Sequence, residues 1–137
     1  MILFKRLTYK NFLSSGNVPI EINLDMSQMT LIVGTNGSGK STLLDALCFV
    51  LFNRPFRIIK KEQMVNTINN GDCIVEVDFE VGTKKYKVRR GIKPNLFEIF
   101  CDGKKLNQDA NNIDYQKYLE QNIMKLNYRS FIQVVLL

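Results

Sequence analysis

Residues 34–42 read Gly-Thr-Asn-Gly-Ser-Gly-Lys-Ser-Thr and match the P-loop pattern GxxxxGKS/T at every fixed position. The apolar run Thr30–Val33 comes directly before this loop and predicts a buried strand. A longer apolar run, Leu43–Phe52, follows it and predicts a buried helix that begins near Lys40. Strand, glycine-rich turn and helix start, in this order, form the context in which the pattern binds phosphate.

The residue types of the loop suit a nucleoside triphosphate bound with Mg²⁺. Glycines allow positive φ, so that several backbone N–H groups can point at one anion. The helix start adds further N–H groups and the positive end of the helix dipole. Lys40 is the candidate catalytic residue because it brings a full positive charge to the β- and γ-phosphates, and Ser41 offers its hydroxyl to Mg²⁺. The candidate nucleotide-binding residues are Gly34, Thr35, Asn36, Gly37, Ser38, Gly39, Lys40, Ser41 and Thr42.

Composition indicates one ordinary domain of 137 residues. No apolar run approaches the roughly 20 residues that span a bilayer, and the first residues lack the order of a signal peptide, so we expect a cytoplasmic protein without a membrane partner. Histidine is absent, which excludes imidazole chemistry. Cys48, Cys73 and Cys101 are far apart in the sequence, which favours reduced core thiols over a metal site. The net charge of +6 permits contact with nucleic acid without demonstrating it.

Further elements flank the loop and its helix. Ile2–Tyr9 and Val18–Leu24 predict two strands, and the helix after the loop is expected to end before Pro55. Asp114 is a candidate cap for a late helix that runs to about Leu126. One face of that helix is expected to carry Tyr118, Leu119, Ile123 and Leu126. Phe131–Leu137 predicts a last strand, and since no turn follows it, we expect the chain to be part of a longer protein.

The middle of the chain predicts two β-hairpins. Apolar and charged residues alternate on both sides of Gly82-Thr83, a type II′ turn signal. The resulting register pairs Phe79 with Tyr86 and Val77 with Val88 on one face, and Glu80 with Lys85, Asp78 with Lys87 and Glu76 with Arg89 on the other. The basic run 84–90 is therefore interpreted as half of a salt-bridge ladder rather than a DNA-binding groove. Asp102-Gly103 predicts a type I′ turn between Leu96–Cys101 and Lys104–Leu106.

The stretch Leu7-Thr8-Tyr9-Lys10-Asn11-Phe12, together with the downstream loop, resembles the SMC-like DNA-repair ATPases of the SbcC type. Within that family it is most similar to phage members, which are subunits of recombination endonucleases. The resemblance implies an α/β fold, with residues 1–137 as the N-terminal lobe of an ABC/SMC-type P-loop ATPase head. This lobe would have a mixed sheet around the P-loop helix and an antiparallel β-hairpin layer. The coiled coil and the C-terminal lobe of such heads are absent from this sequence.

The same resemblance implies a function. ATP and Mg²⁺ would be the cofactors, and this lobe would bind ATP without hydrolysing it alone, because the signature motif and the Walker B carboxylates belong to the C-terminal lobe. ATP would clamp two heads together in an ATPase that repairs double-strand breaks. The implied partners are the C-terminal lobe, a second head, a nuclease subunit and double-stranded DNA, in the cytoplasm of a bacterial host if a phage encodes the chain.

The resemblance also points to residues outside the loop. Many relatives carry an arginine after Asn-Phe that approaches the nucleotide, whereas this chain has Leu13, so Ser14 and Ser15 are the remaining candidates there. A glutamine near the end of the last strand completes the Mg²⁺ shell in the family. Gln133 is the local candidate for it, and the true residue could equally follow Leu137.

Three alternatives stay open at this point. A nucleotide-binding subunit of an ABC membrane transporter uses the same loop, although a full subunit would continue to its signature motif without a coiled coil. A nucleotide kinase or GTPase is disfavoured by the absence of Asn-Lys-x-Asp and by the strand order. The basic residues after the helix could meet DNA phosphates or form a solvated face. These residues are Arg54, Arg57, Lys60 and Lys61.

Overall fold

The structure is a computed structural model that describes residues 2–12, 16–24, 38–54, 65, 71–106 and 115–131, with the backbone alone for residues 38–42. Its elements confirm the α/β class. They are β1 (Ile2–Lys10), β2 (Ile20–Asn23), α1 (Ser38–Phe52), β3 (Cys73–Val81), β4 (Lys84–Ile92), β5 (Leu96–Cys101), β6 (Lys104–Lys105), α2 (Tyr115–Tyr118) and a π-helix (Leu119–Met124).

The described strands form one six-stranded sheet with the order β2-β1-β3-β4-β5-β6. Every pairing in it is antiparallel. The first two predicted strands are confirmed, although the second is shorter than expected. Both hairpins are continuous with β1, because β3 pairs with β1 and β4 pairs with β5. The strand predicted at Thr30–Val33, on which the mixed character of the sheet depends, lies outside the described residues.

The hairpin predictions are confirmed in register and in turn geometry. Glu76 is opposite Arg89, Asp78 is opposite Lys87, and Phe79 is opposite Tyr86. Gly82 has a φ of 63°, as the first position of a type II′ turn requires. In the β5–β6 turn, Asp102 and Gly103 have φ values of 52° and 85°, the two positive angles of a type I′ turn.

The outer face of the sheet carries the predicted salt-bridge ladder. Arg89 lies 2.8 Å from Glu76, and Lys87 lies 3.9 Å from Asp78. Glu80 faces Lys85 in the register, and its carboxylate pairs with Lys5 of β1 at 3.4 Å. The ladder joins five cations to five carboxylates, namely Lys5, Arg6, Lys87, Arg89 and Lys105 with Glu21, Glu76, Asp78, Glu80 and Glu98. The formal charges of the ladder residues therefore sum to zero.

The inner face of the sheet packs against α1, which lies on β3 and β4. Leu43–Phe52 is buried at every position, as the sequence predicted. A helix that is apolar all round needs cover on all sides. Part of this cover is aromatic, since Phe52 contacts Phe131 and Tyr128 with ring centroids 5.3 and 5.7 Å apart. The core therefore lies between the sheet and the C-terminal segment.

The three cysteines are free thiols. Cys48 and Cys73 are buried, which confirms them as core residues, whereas Cys101 is half-buried on β5. Burial raises the pKa of Cys48 and of Cys73 from 9 to about 12, because the thiolate loses its hydration.

The predicted C-terminal helix differs from the observed one. The chain winds as an α-helix over Tyr115–Tyr118 and as a π-helix over Leu119–Met124, and it ends where Lys125 takes a left-handed conformation. A π-turn has more residues than an α-turn. Met124, five residues after Leu119, is consequently buried beside Ile123. Tyr118, which precedes the π-helix, is exposed and does not share the buried face of Tyr115, Leu119 and Ile123.

The residues that flank the predicted C-terminal helix are Asp114, its predicted cap, and the predicted strand Phe131–Leu137. Phe131 is buried at the end of a helical turn over residues 128–131, where its N–H donates to the carbonyl of Asn127 at 2.9 Å, so the predicted strand does not begin there. The rest of that strand, residues 132–137, and the predicted cap Asp114 lie outside the described residues. Among the helices of the described ranges, none has the length and apolar character to cross a membrane.

Candidate nucleotide-binding site

The predicted site is built on the N-terminal end of α1. The helix begins at Ser38, so Ser38, Gly39 and Lys40 lie in its first turn, close to the predicted start. The first four N–H groups of an α-helix have no partner within the helix, and the positive end of its dipole is located there. No acidic residue occupies this first turn. The backbone at the start of α1 therefore fits an anionic phosphate.

Several predicted site residues fall where the structure gives no description. Gly34, Thr35, Asn36 and Gly37 lie outside the described residues, and the backbone alone is described for Ser38, Gly39, Lys40, Ser41 and Thr42. Ser14, Ser15 and Gln133 also lie outside them, as do Arg57, Lys60 and Lys61. The roles assigned to these side chains remain predictions. In the part of the chain that is described, no group of three or more histidine, cysteine, aspartate or glutamate side chains could hold a metal ion.

The Lys10-Asn11-Phe12 element connects β1 to α1. Phe12 is fully buried and stacks on Phe49 of α1, with ring centroids 6.0 Å apart. Asn11 is also fully buried and has a φ of 50°. Its side chain donates to Asn17 Oδ1 at 2.7 Å and to the Asp72 carbonyl at 3.3 Å. Sequence reasoning used this element only for its family likeness, and the structure shows that it anchors the end of β1 to the helix.

The C-terminal end of α1 is held by two polar side chains that the sequence analysis did not single out. Arg90 of β4 donates from Nε to the Val50 carbonyl at 3.1 Å. Gln116 of α2 donates from Nε2 to the Leu51 carbonyl at 2.8 Å and accepts a hydrogen bond from Arg90 Nη2. The carbonyls of a last helical turn have no partner within the helix, so these side chains supply the missing donors.

Arg90 is an exception within the basic run 84–90. Only 5% of the residue is exposed, and its guanidinium lies 3.6 Å from the centroid of the Phe97 ring. Burial lowers the pKa of Arg90 to about 9, while the Glu120 carboxylate raises it. The guanidinium is therefore still protonated at pH 7. Strand alternation could have revealed its position, since Arg90 shares the inward face with Val88.

Two features bear on contact with DNA. The guanidinium of Arg54 lies over the Tyr128 ring at 3.9 Å, so this candidate phosphate ligand already has an aromatic partner. A groove of about 460 Å³ on the outer face is lined by residues of both charges, among them Glu76, Asp78, Lys87 and Arg89. This mixed lining agrees with the interpretation of the basic run as a ladder.

Solved structures of SMC ATPases share the fold of this chain. One comes from a study of ATP-driven dimerization and DNA-stimulated activation of SMC ATPases; it has a TM-score of 0.61 and 19% identity, and the match covers 94% of this chain and 83% of that one. The Smc head domain of Pyrococcus furiosus has a TM-score of 0.50 and 22% identity over 78% of this chain and 28% of that one. At these identities the likeness concerns the fold alone.

Some curated sequence relatives share a higher percentage of identical residues with this chain than these solved structures do. Exonuclease subunit 2 of Escherichia phage RB69 and that of Enterobacteria phage T4 are each 47% identical over 132 residues, which is 96% of this chain and 23% of the relative. The DNA double-strand break repair Rad50 ATPase of Thermoplasma volcanium is 29% identical over 96% of this chain and 14% of the relative. This chain therefore spans about a quarter or less of the length of these homologues.

A family model for an AAA domain (AAA_23) matches residues 6–136. That range takes in the second half of β1, the P-loop sequence, the other five strands of the sheet and the C-terminal segment. The chain therefore belongs to the AAA_23 family of AAA domains.

Proposed function

We propose that this chain is the ATP-binding N-terminal lobe, residues 1–137, of an ATPase that acts in DNA double-strand-break repair and recombination with a nuclease subunit. The observation that carries the proposal is the helix start at Ser38-Gly39-Lys40, within a full P-loop sequence. Homology to a phage exonuclease subunit and to a double-strand break repair ATPase supports repair over membrane transport.

The residues of the loop would divide the work of binding. Backbone N–H groups from Gly34 to Gly39 would hold the phosphates, and Lys40 would neutralise the β- and γ-phosphates. Ser41 would hold Mg²⁺, with Gln133 as a further ligand. Thr42 would be an additional phosphate contact, and Ser14 and Ser15 would contact phosphate or base. Mg²⁺ would neutralise charge that develops between the phosphates.

Hydrolysis would require more than this lobe. Positioned carboxylates and a water-orienting group drive phosphoryl transfer in P-loop enzymes, and this sequence has no apolar strand that ends in Asp-Glu. We propose that a C-terminal lobe and a second head complete the site, so that ATP binding brings two heads together. Release would follow hydrolysis. The site of action would be the cytoplasm of a bacterial host.

Mg·ATP binding and turnover test this proposal directly. The chain alone should bind Mg·ATP without turnover, and hydrolysis should begin when the C-terminal lobe is added. Lys40→Ala should abolish binding, whereas Lys104→Ala, which removes an exposed lysine of β6, should leave it unchanged. Turnover by the chain alone would overturn the split site, and ATP binding by Lys40→Ala at the unmodified affinity would overturn the P-loop assignment.

Contact with duplex DNA is the weaker part of the proposal. Arg54, Arg57, Lys60 and Lys61 follow the end of α1 and could neutralise phosphates. Reversal of these four charges should weaken duplex binding and lower its salt dependence. Reversal of Lys87 and Arg89 in the ladder is compared with reversal of any two of these four residues, so that the change in net charge is equal. If the first set changes neither quantity, these residues do not bind DNA.

A further inference from the structure

The clamp on the C-terminal end of α1, formed by Arg90 and Gln116, uses a buried charge where a neutral group would suffice. Removing a guanidinium from water is costly unless hydrogen bonds and opposite charge compensate for it. Compensation is present here, because the last turn of a helix is the negative end of its dipole and Glu120 lies nearby. Such an arrangement is directional, since Arg90 donates to the Val50 carbonyl and Gln116 donates to the Leu51 carbonyl. It therefore specifies where the end of the helix lies.

The same clamp joins three elements to α1. Arg90 belongs to β4, Gln116 belongs to α2, and Gln116 Nε2 also donates to Glu120 Oε2 of the π-helix at 2.7 Å. The segment Tyr115–Met124 is thus tied through side chains to the backbone of the helix that begins with the P-loop residues. A helix of 15 residues is about 22 Å long and moves as a rod, so a shift at one end displaces the other.

We propose that Arg90 and Gln116 are positioning residues for the nucleotide site, acting through α1. By binding the C-terminal end of α1, they fix the position of its N-terminal end, where the P-loop would bind the phosphates. They also couple nucleotide binding to the packing of Tyr115–Met124 against α1. The inference rests on the proposed function, because it requires that the P-loop binds nucleotide. Coupling of this kind is reciprocal, so bound nucleotide also strengthens the docking of that segment.

Four variants of the full chain test the coupling. Arg90→Met and Gln116→Met remove the clamp, and Gln116→Met is the safer variant because Gln116 is only half-buried. Arg89→Met and Gln121→Met are the controls: Arg89 is adjacent to Arg90 but pairs with Glu76 and Glu98, and Gln121 is an exposed glutamine of the same segment as Gln116. Each variant is confirmed as folded by circular dichroism. Mg·ATP affinity and hydrogen exchange of residues 115–124, with and without Mg·ATP, are then measured.

We expect the two clamp variants to weaken Mg·ATP binding roughly tenfold, within the usual range for coupled sites, and the controls to match the unmodified chain. Mg·ATP should slow exchange in residues 115–124 of the unmodified chain and of the controls, but not of the clamp variants. A role in stability alone would leave the affinity of folded Gln116→Met and the ATP-dependent protection unchanged, and that result overturns the inference. Failure of the unmodified chain to bind Mg·ATP would instead overturn the proposed function, and the inference with it.

Discussion

Gly91 lies at a position of the sheet where a side chain would contact backbone atoms too closely. A Cβ atom there would lie 3.0 Å from the Cys73 carbonyl oxygen and 3.3 Å from Leu96 Cβ, and neither atom can rotate away. We expect Gly91→Ala to lower the free energy of unfolding by about 1–3 kcal/mol, as forced overpacking does. Gly16→Ala is the control, because no atom lies within 4 Å of its added Cβ. Equal urea midpoints for the two variants would show that β3 and β5 accommodate the methyl group.

The buried thiols give a second prediction for single residues. Burial raises the pKa of Cys48 and Cys73 to about 12, so folding favours their protonated form. This contribution to stability is complete below pH 9, the ordinary thiol pKa, and is lost as the pH rises from 9 to 12. Iodoacetamide reacts with thiolates, so at pH 8 it should modify the half-buried Cys101 in the native chain and spare the other two.

Mass spectrometry of tryptic peptides would locate the modified cysteines. Labelling of the denatured chain is the control, and it should modify all three residues. Native labelling of Cys48 at the rate of Cys101 would mean that α1 opens readily, contrary to the burial of its whole apolar length.

Among the elements, the π-helix ends at a strained residue. Lys125 has φ and ψ of 53° and 45°, a left-handed conformation that a side chain disfavours and glycine accepts. We expect Lys125→Gly to raise the free energy of unfolding by about 0.5–1 kcal/mol. Asn122→Gly, at an exposed position inside the same helix, should lower it by about 0.3 kcal/mol, because asparagine is only slightly better than glycine inside a helix. Urea unfolding of both variants checks the signs, and destabilisation by Lys125→Gly would contradict the assigned helix end.

The elements also show which structure the sequence could predict. Alternation and turn residues gave the hairpin register, because both signals lie within a few neighbouring residues. The bend in β1 is less apparent: the register shifts between Phe4 and Arg6, so that Lys5 and Arg6 both face outward while Phe4 and Leu7 contact the core. The change from α- to π-helix at Leu119 had no local signal in the sequence, so the burial of Met124 was not predicted. Tyr118, expected on the same face as Leu119 and Ile123, is exposed.

At the scale of the whole molecule, one part of the candidate site has a local signal in the sequence and the other part has none. The proposed phosphate-binding residues are nine consecutive positions, 34–42, so a local pattern in the sequence was enough to predict them. The support of the site depends on contacts between distant residues, since Arg90 reaches Val50 across 40 positions and Gln116 reaches Leu51 across 65. Neither contact follows from composition or periodicity. The ladder pairs equal numbers of cations and carboxylates, so the excess charge of +6 resides elsewhere in the chain.

Because α1 is both the core helix and the helix of the P-loop, nucleotide should stabilise the entire fold. A ligand that binds only the folded state at about 100 times its Kd adds about 2.7 kcal/mol. We expect Mg·ATP to raise the urea midpoint of the unmodified chain and of Arg89→Met by similar amounts. Lys40→Ala should show none of this gain because it should not bind Mg·ATP. EDTA should reduce the gain in the unmodified chain, because Mg²⁺ helps to neutralise the phosphates. A midpoint that Mg·ATP leaves unchanged in the unmodified chain would mean that the chain alone does not bind Mg·ATP, and it would overturn the proposed function.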